Sequence, residues 1–121
     1  MRFYRGLIIV KPHGSWIISG EKPLLVKSIR LKHVPGKLLL LIESKRALGI
    51  IKLGEPRPIT LKQFRRLRSK HKITEKERLK WWKGRKLYAY DIKIIKKFKK
   101  PRKINYPQGP QVVVRPKLIR F

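Results

Sequence analysis

A chain of 121 residues with 41% apolar composition holds material for one folded domain with a single core, and is too apolar for a disordered basic tail. Its 34 lysines and arginines against six acids give a net charge of +28, far beyond what solubility requires, so a polyanion is the expected partner. Cysteine is absent, which excludes disulfides, thiolate zinc sites and cysteine nucleophiles.

In chain order, residues 2–10 read as a strand, apolar from Leu7 to Val10 and ended by Lys11-Pro12. Residues 16–18 read as a short apolar turn closed by Gly20, with Trp16 turned into the core. Residues 24–31 mix apolar and basic side chains, and Pro35-Gly36 makes a tight turn. The apolar run 38–42 reads as a buried strand; after a polar break at 44–46, residues 48–53 form a second one, ending at Gly54. A Pro-rich connection, 55–58, leads to Thr60 and Gln63, the ends of a capping box, and Thr74 with Glu77 repeats that pattern. Two short helices are therefore predicted, the first with Leu61, Phe64 and Leu67 on one face, the second carrying Leu79 and Trp82. Residues 86–93 alternate as a strand that 94–98 extend, and 99–103 read as a basic turn broken by Pro101. Residues 111–114 are a β-branched strand, with 118–121 pairing at the edge.

Gly20-x-Lys22, the turn His33-Val-Pro-Gly36, the run from Ala47 to Gly54, then Leu87-Tyr-Ala-Tyr-Asp91, Pro101 and Gly109-Pro-Gln111 follow one another in a known order. That order resembles the ASCH family of the PUA-like superfamily, whose signature is a G-x-K-x-x-E-x-R loop between a short helix and a strand. Leu25 stands where the acidic or hydroxyl residue is expected, and Lys27 where the arginine is expected. The resemblance implies an α+β, mainly β fold: a small PUA-like β-barrel over residues 1–121 as a single domain, with a short helix before the signature loop and a two-helix insertion at about 59–84. RNA typically lies beside the signature loop in such domains, which adds Lys22, Lys27, Arg30 and Lys32 to the candidate nucleic-acid contacts, with Lys45 and Arg46 in the polar break lining the same cleft. Some members cleave RNA or hydrolyse acylated nucleosides with the signature lysine and its acidic or hydroxyl partner. Leu25 can exchange no proton, and Glu21 and Glu43, the nearest acids, are not at the matching position. Binding without catalysis is the expectation, with no catalytic residue named.

The basic residues concentrate between Lys62 and Lys103, where 19 lysines and arginines face three acids. Arg65, Arg66, Arg68, Lys70, Lys72, Lys83 and Arg85 form the expected electrostatic footprint. Trp81 and Trp82 lie among them, as if bases stack while cations hold phosphates; one of the two should be exposed. Tyr88 and Tyr90 share the core face of their strand, and Tyr106 lies beside the patch. His13, His33 and His71 are scattered, with no H-x-x-x-H pair or carboxylate cluster, so they read as surface or turn residues, and neither metal nor cofactor is expected.

The reading is a nucleic-acid-binding protein, RNA favoured over DNA, held through phosphates and fitted to a ribonucleoprotein or ribosome. The alternatives are an ASCH-type nuclease or nucleoside amidohydrolase, and a nonspecific chromatin-type DNA binder. No apolar run approaches the roughly 20 residues of a membrane span, so the expected location is cytoplasmic, with no membrane partner. Few thermolabile side chains hint at a thermophilic or archaeal source.

Overall fold

A computed structural model describes residues 5–31 and 34–104, together with the backbone of 113–114. The elements run β1 (Arg5–Ile8), α1 (His13–Ser19), β2 (Leu24–Lys27), β3 (Leu39–Glu43), β4 (Arg46–Leu53), β5 (Arg57–Ile59), α2 (Leu61–Arg66), α3 (Arg68–His71), α4 (Glu75–Trp82), β6 (Leu87–Lys103) and β7 (Val113–Val114). The strands make one mixed sheet in the order β2-β6-β4-β3-β1-β7, with β5 added beside β6. β1 and β3 run parallel, and the remaining pairs are antiparallel.

β3 explains why its run is apolar without alternation. All five residues are buried, and the pleat sends them both ways: Leu39 and Leu41 join Leu7, Ile17, Leu25, Ile51 and Tyr90 in one cluster, whereas Leu40 and Ile42 join Ala47, Ile50 and Ile104 in another. Each such side chain contributes about 1.5–3 kcal/mol on burial. The hairpin to β4 turns on Ser44 and Lys45, both at positive φ (51° and 60°), as a two-residue turn matched to strand twist requires. A third cluster, Val26, Phe64, Ile73 and Leu87, fastens the helices to β2, with Trp81 and Trp82 packed on it.

β6 curls the sheet. Its first residues, Leu87 to Asp91, sit between β2 and β5; beyond Asp91 it pairs with β4 as far as Arg46↔Lys103. The expected break at 99–103 is therefore a continuation. Between the pairs Gly49↔Lys97 and Ala47↔Arg102, Leu48 alone faces four residues of β6, so Pro101 sits in a bulge and costs no ladder bond. The α+β, mainly β expectation holds.

Several expectations are corrected in detail. The insertion carries three helices, because Leu67 ends α2 and starts α3. Both capping boxes form: Thr60 accepts from the Gln63 amide and Thr74 from the Glu77 amide, each with the reciprocal bond. On α2 only Phe64 is buried, while Leu61 and, on α4, Leu79 stay exposed. Trp16 is half-buried at the surface of α1 and not in the core. The connection after Gly54 contains the short strand β5. Residues 2–4, Lys32, His33, Tyr106, the Gly109-Pro-Gln111 turn and the pairing strand at 118–121 lie outside the described residues.

His71, read as a surface or turn residue, is fully buried and stacks on Phe64 with ring centroids 4.2 Å apart. Its Nε2–H donates to the Phe64 carbonyl at 2.6 Å and its Nδ1 accepts from the Ile73 amide at 2.9 Å, which fixes a neutral tautomer. Burial lowers its pKa, against the bond to Phe64. The unfolded chain thus takes up this proton first, and stability falls as pH drops below about 6.5. Urea unfolding of His71→Phe, which keeps the stack, is expected to show a shallower acid decline than the parent chain.

Candidate functional site

A cleft of about 920 Å³ opens between the end of β1, the start of α1, β2 and α4. α1 is seated by Glu43 of β3, whose carboxylate accepts from the Ser15 amide (3.0 Å) and hydroxyl (2.6 Å) and so serves a helix N-terminus that Pro12 cannot cap. At the other end Gly20 closes α1 at φ 87°, and the Lys22 amide returns to the Trp16 carbonyl at 3.0 Å. That loop turns Lys22 inward. It is 3% exposed, on the wall of the cleft.

Lys22 Nζ lies 2.8 Å from His13 Nδ1, and His13 Nε2 lies 2.9 Å from Glu77 Oε2. The carboxylate places the imidazole proton on Nε2, so Nδ1 accepts from Lys22. Glu77 is itself held by Thr74, whose amide and hydroxyl donate to Oε1 at 3.0 and 3.2 Å. Burial first, and Lys27 second, push the Lys22 ammonium down to about 7, with Glu77 opposing. His13 is likewise lowered, by burial against the bond from Glu77. Glu77 ends below the usual carboxylate range: burial opposes its ionisation, but the Thr74 amide and His13 outweigh it. Lys27, half-buried on the same wall, is lowered by burial.

One wall is aromatic. Trp81 and Trp82 both line the cleft, 5.4 Å apart at a steep angle, and both are half-buried, so neither is the exposed partner expected. Trp81 also meets His13 edge-on at 5.8 Å. Lys11 and Lys80 stand exposed at the rim. Leu25 lines the cleft and reaches the core, where the expected acid or hydroxyl would have stood.

The other predicted contacts are dispersed. Arg30 is exposed, its guanidinium 5.1 Å over the Tyr88 ring, while Tyr90 is buried and bonded through its hydroxyl to Ile29 and Leu31. Lys45 and Arg46 are exposed at the β3–β4 turn, one and two residues from Ser44 on the cleft. Arg65, Arg66, Arg68 and Lys70 are exposed on α2 and α3, with Arg65 held by Glu75 at 3.0 Å. Lys72 closes α3 at φ 57°, and Lys83 and Arg85 flank the Gly84 turn. Of the predicted set, the cleft brings together Lys22, Lys27, Trp81 and Trp82. His13 and Glu77 were missed as a pair, because a separation of 64 positions leaves no local spacing to read. Among the described residues no cluster suited to a metal ion occurs.

The fold is that of solved ASCH structures, an α+β, mainly β arrangement of the PUA-like kind. The chain is similar to two solved point variants, tyrosine to phenylalanine and serine to alanine, of the ZmASCH protein from Zymomonas mobilis. For the first the TM-score is 0.66 at 14% identity, over 93% of this chain and 88% of that one; for the second it is 0.65 at 16%, over 93% and 87%. No family model and no curated protein matches the sequence. Among the described residues no helix is long and apolar enough to cross a membrane.

Proposed function

We propose that the protein binds nucleic acid, RNA before DNA, and hydrolyses a bond of a single nucleotide admitted to the cleft. The observation that carries this is the Lys22–His13–Glu77 chain at the wall of a cleft lined by two tryptophans. A lysine that is 3% exposed and near half-neutral at pH 7 is a poor phosphate ligand. It is well suited to take a proton. Neutral Lys22 keeps one N–H on His13 Nδ1 and a lone pair for the proton of an attacking water. The ammonium that results still donates to Nδ1, and His13 passes the stabilisation to Glu77 without changing tautomer. As the water oxygen bonds to the scissile carbon or phosphorus, the bond to the leaving nitrogen or oxygen breaks and that atom takes the proton from the Lys22 ammonium. Histidine and a capping glutamate thus supply what Leu25 does not.

Trp81 and Trp82 offer faces on which an unpaired base stacks, and Lys11, Lys27 and Lys80 bring positive charge to the phosphates around it. RNA is favoured because its loops present unstacked bases and a 2′-hydroxyl. The excess charge on α2 and α3 also favours lasting residence in a ribonucleoprotein, with the same cleft.

The test incubates the purified protein with end-labelled single-stranded RNA and, separately, with an acylated cytidine. Shortened strands or released acid, absent with Glu77→Gln and rising with pH through about 7, is the expected result. Tight binding with neither product in either assay contradicts the catalytic part and leaves a binding protein.

A further inference from the structure

The carboxy-terminal half of β6 lies outside the cleft and takes no part in its chemistry. Between Ile92 and Lys103 it carries seven lysines and arginines and no acid. Beyond Asp91 its pairing is with β4 on one side. The bulge opposite Leu48 spans Phe98 to Pro101, with Phe98 packed on the second core cluster, and a groove of about 680 Å³ is lined by residues 96–102.

Edge lysines commonly serve only to prevent strands from pairing with other chains. That role does not account for what stands across the ladder. Lys52 faces Lys93 and Arg46 faces Lys103, two like-charged pairs set directly opposite, an arrangement that weakens a sheet. The ribbon also ends at the cleft: Lys103 pairs with Arg46, the Ile104 amide donates to the Lys45 carbonyl at 2.9 Å, and Ser44 lines the cleft. A polyanion on the ribbon would neutralise these pairs and continue toward the cleft. The stretch has one aromatic ring, Phe98, which already has the Arg102 guanidinium 5.9 Å above it. It therefore offers charge without stacking faces, which suits paired bases whose phosphates alone are accessible.

We infer that this half of β6 is a second nucleic-acid site, which grips the sugar–phosphate backbone of a base-paired stem whose unpaired end enters the cleft. The inference rests on the nucleic-acid reading and is independent of the chemistry of Lys22.

The test measures anisotropy of a labelled blunt RNA duplex of about 16 base pairs, a span a protein module can cover, over a salt series. An equivalent DNA duplex and a single-stranded RNA are run beside it. The proteins are the parent chain, a variant with Lys96, Lys97, Lys99 and Lys100 all changed to Gln, and one with the same four changed to Arg. The Gln variant is expected to lose at least about tenfold in duplex affinity, with a shallower salt slope by about 0.9 per contact removed, and the Arg variant to keep both. Lysine acetylation of the parent chain, mapped by mass spectrometry with and without duplex, is expected to show these four protected. Unchanged duplex affinity and slope in the Gln variant, absent protection, or equal binding to phosphatidylserine vesicles overturns the second site. Failure of the parent chain to bind any of the three nucleic acids overturns the nucleic-acid reading itself. Preference between RNA and DNA duplexes identifies which stem it takes.

Discussion

Lys22→Met is expected to abolish turnover and at the same time to raise the melting temperature. With the folded pKa near 7 and the unfolded one near 10.5, the fold disfavours the charged lysine. The whole of that penalty is present below pH 7, it declines between pH 7 and 10.5, and it is gone above, so the parent chain gains stability across that window as pH rises. The gap corresponds to about 5 kcal/mol. Methionine fills the volume without a charge, but it leaves His13 Nδ1 without its donor, which returns about 1–2 kcal/mol. A net gain of about 3–4 kcal/mol remains at pH 6.5, about 10–15 °C in melting temperature for a chain of this size. Calorimetry at pH 6.5 and near pH 10 checks it: at the higher pH the gain should vanish or reverse slightly, since only the lost bond to His13 then separates the two chains. An equal difference at both values would show that the gain comes from packing and not from relief of a buried charge. Stability gained as activity is lost is the pattern of a residue kept for its chemistry.

Gly49→Ala is expected to be the most damaging single-methyl change in the sheet. A Cβ there would lie 2.3 Å from the Lys96 carbonyl oxygen and 2.6 Å from Ile18 Cδ1. The isoleucine can rotate; the backbone of β6 cannot move without opening the ladder on which the curl depends. A loss of about 3–5 kcal/mol follows, at the upper end of single substitutions and a large share of what holds such a chain folded. Gly36→Ala, at φ 76° with nothing within 4 Å, is the control and should cost only about 1–2 kcal/mol of backbone strain. Urea midpoints for the two variants decide this. A Gly49→Ala chain as stable as Gly36→Ala would mean that β6 does not approach β4 as closely as described.

Features with local causes were legible in the sequence. The two capping boxes were readable because Thr60 with Gln63 and Thr74 with Glu77 need only three residues of spacing. The strands around residues 38–42 and 48–53 were readable for the same reason, each bounded by its own turn residues, whereas the helix ending at Gly20 read locally only as a turn. Pro101 misled because its cost depends on what lies opposite: against a regular partner it ends a strand, against a lone Leu48 it enlarges a bulge. The site was half legible. Lys22 stood out through its loop, but its partners come from α1 and α4, and nothing in the sequence reports that the two helices meet across β2. Glu77 was visible only as a capping residue, and it is one; its second oxygen holds His13. His13 and His71 looked like scattered surface residues because burial of a polar ring depends on tertiary partners such as Glu77 and the Phe64 carbonyl.

The protonation state of Lys22 decides between a catalytic cleft and a merely basic one. Its side-chain carbon and nitrogen resonances, followed by heteronuclear NMR from about pH 5 to about 11, report that state directly. A midpoint near 7, moving upward in Lys27→Met as the neighbouring charge is removed, is what the geometry predicts. A midpoint near the ordinary lysine value of 10.5 would contradict it: Lys22 would then be one more cation on a basic surface, and the hydrolytic reading of the cleft would fall.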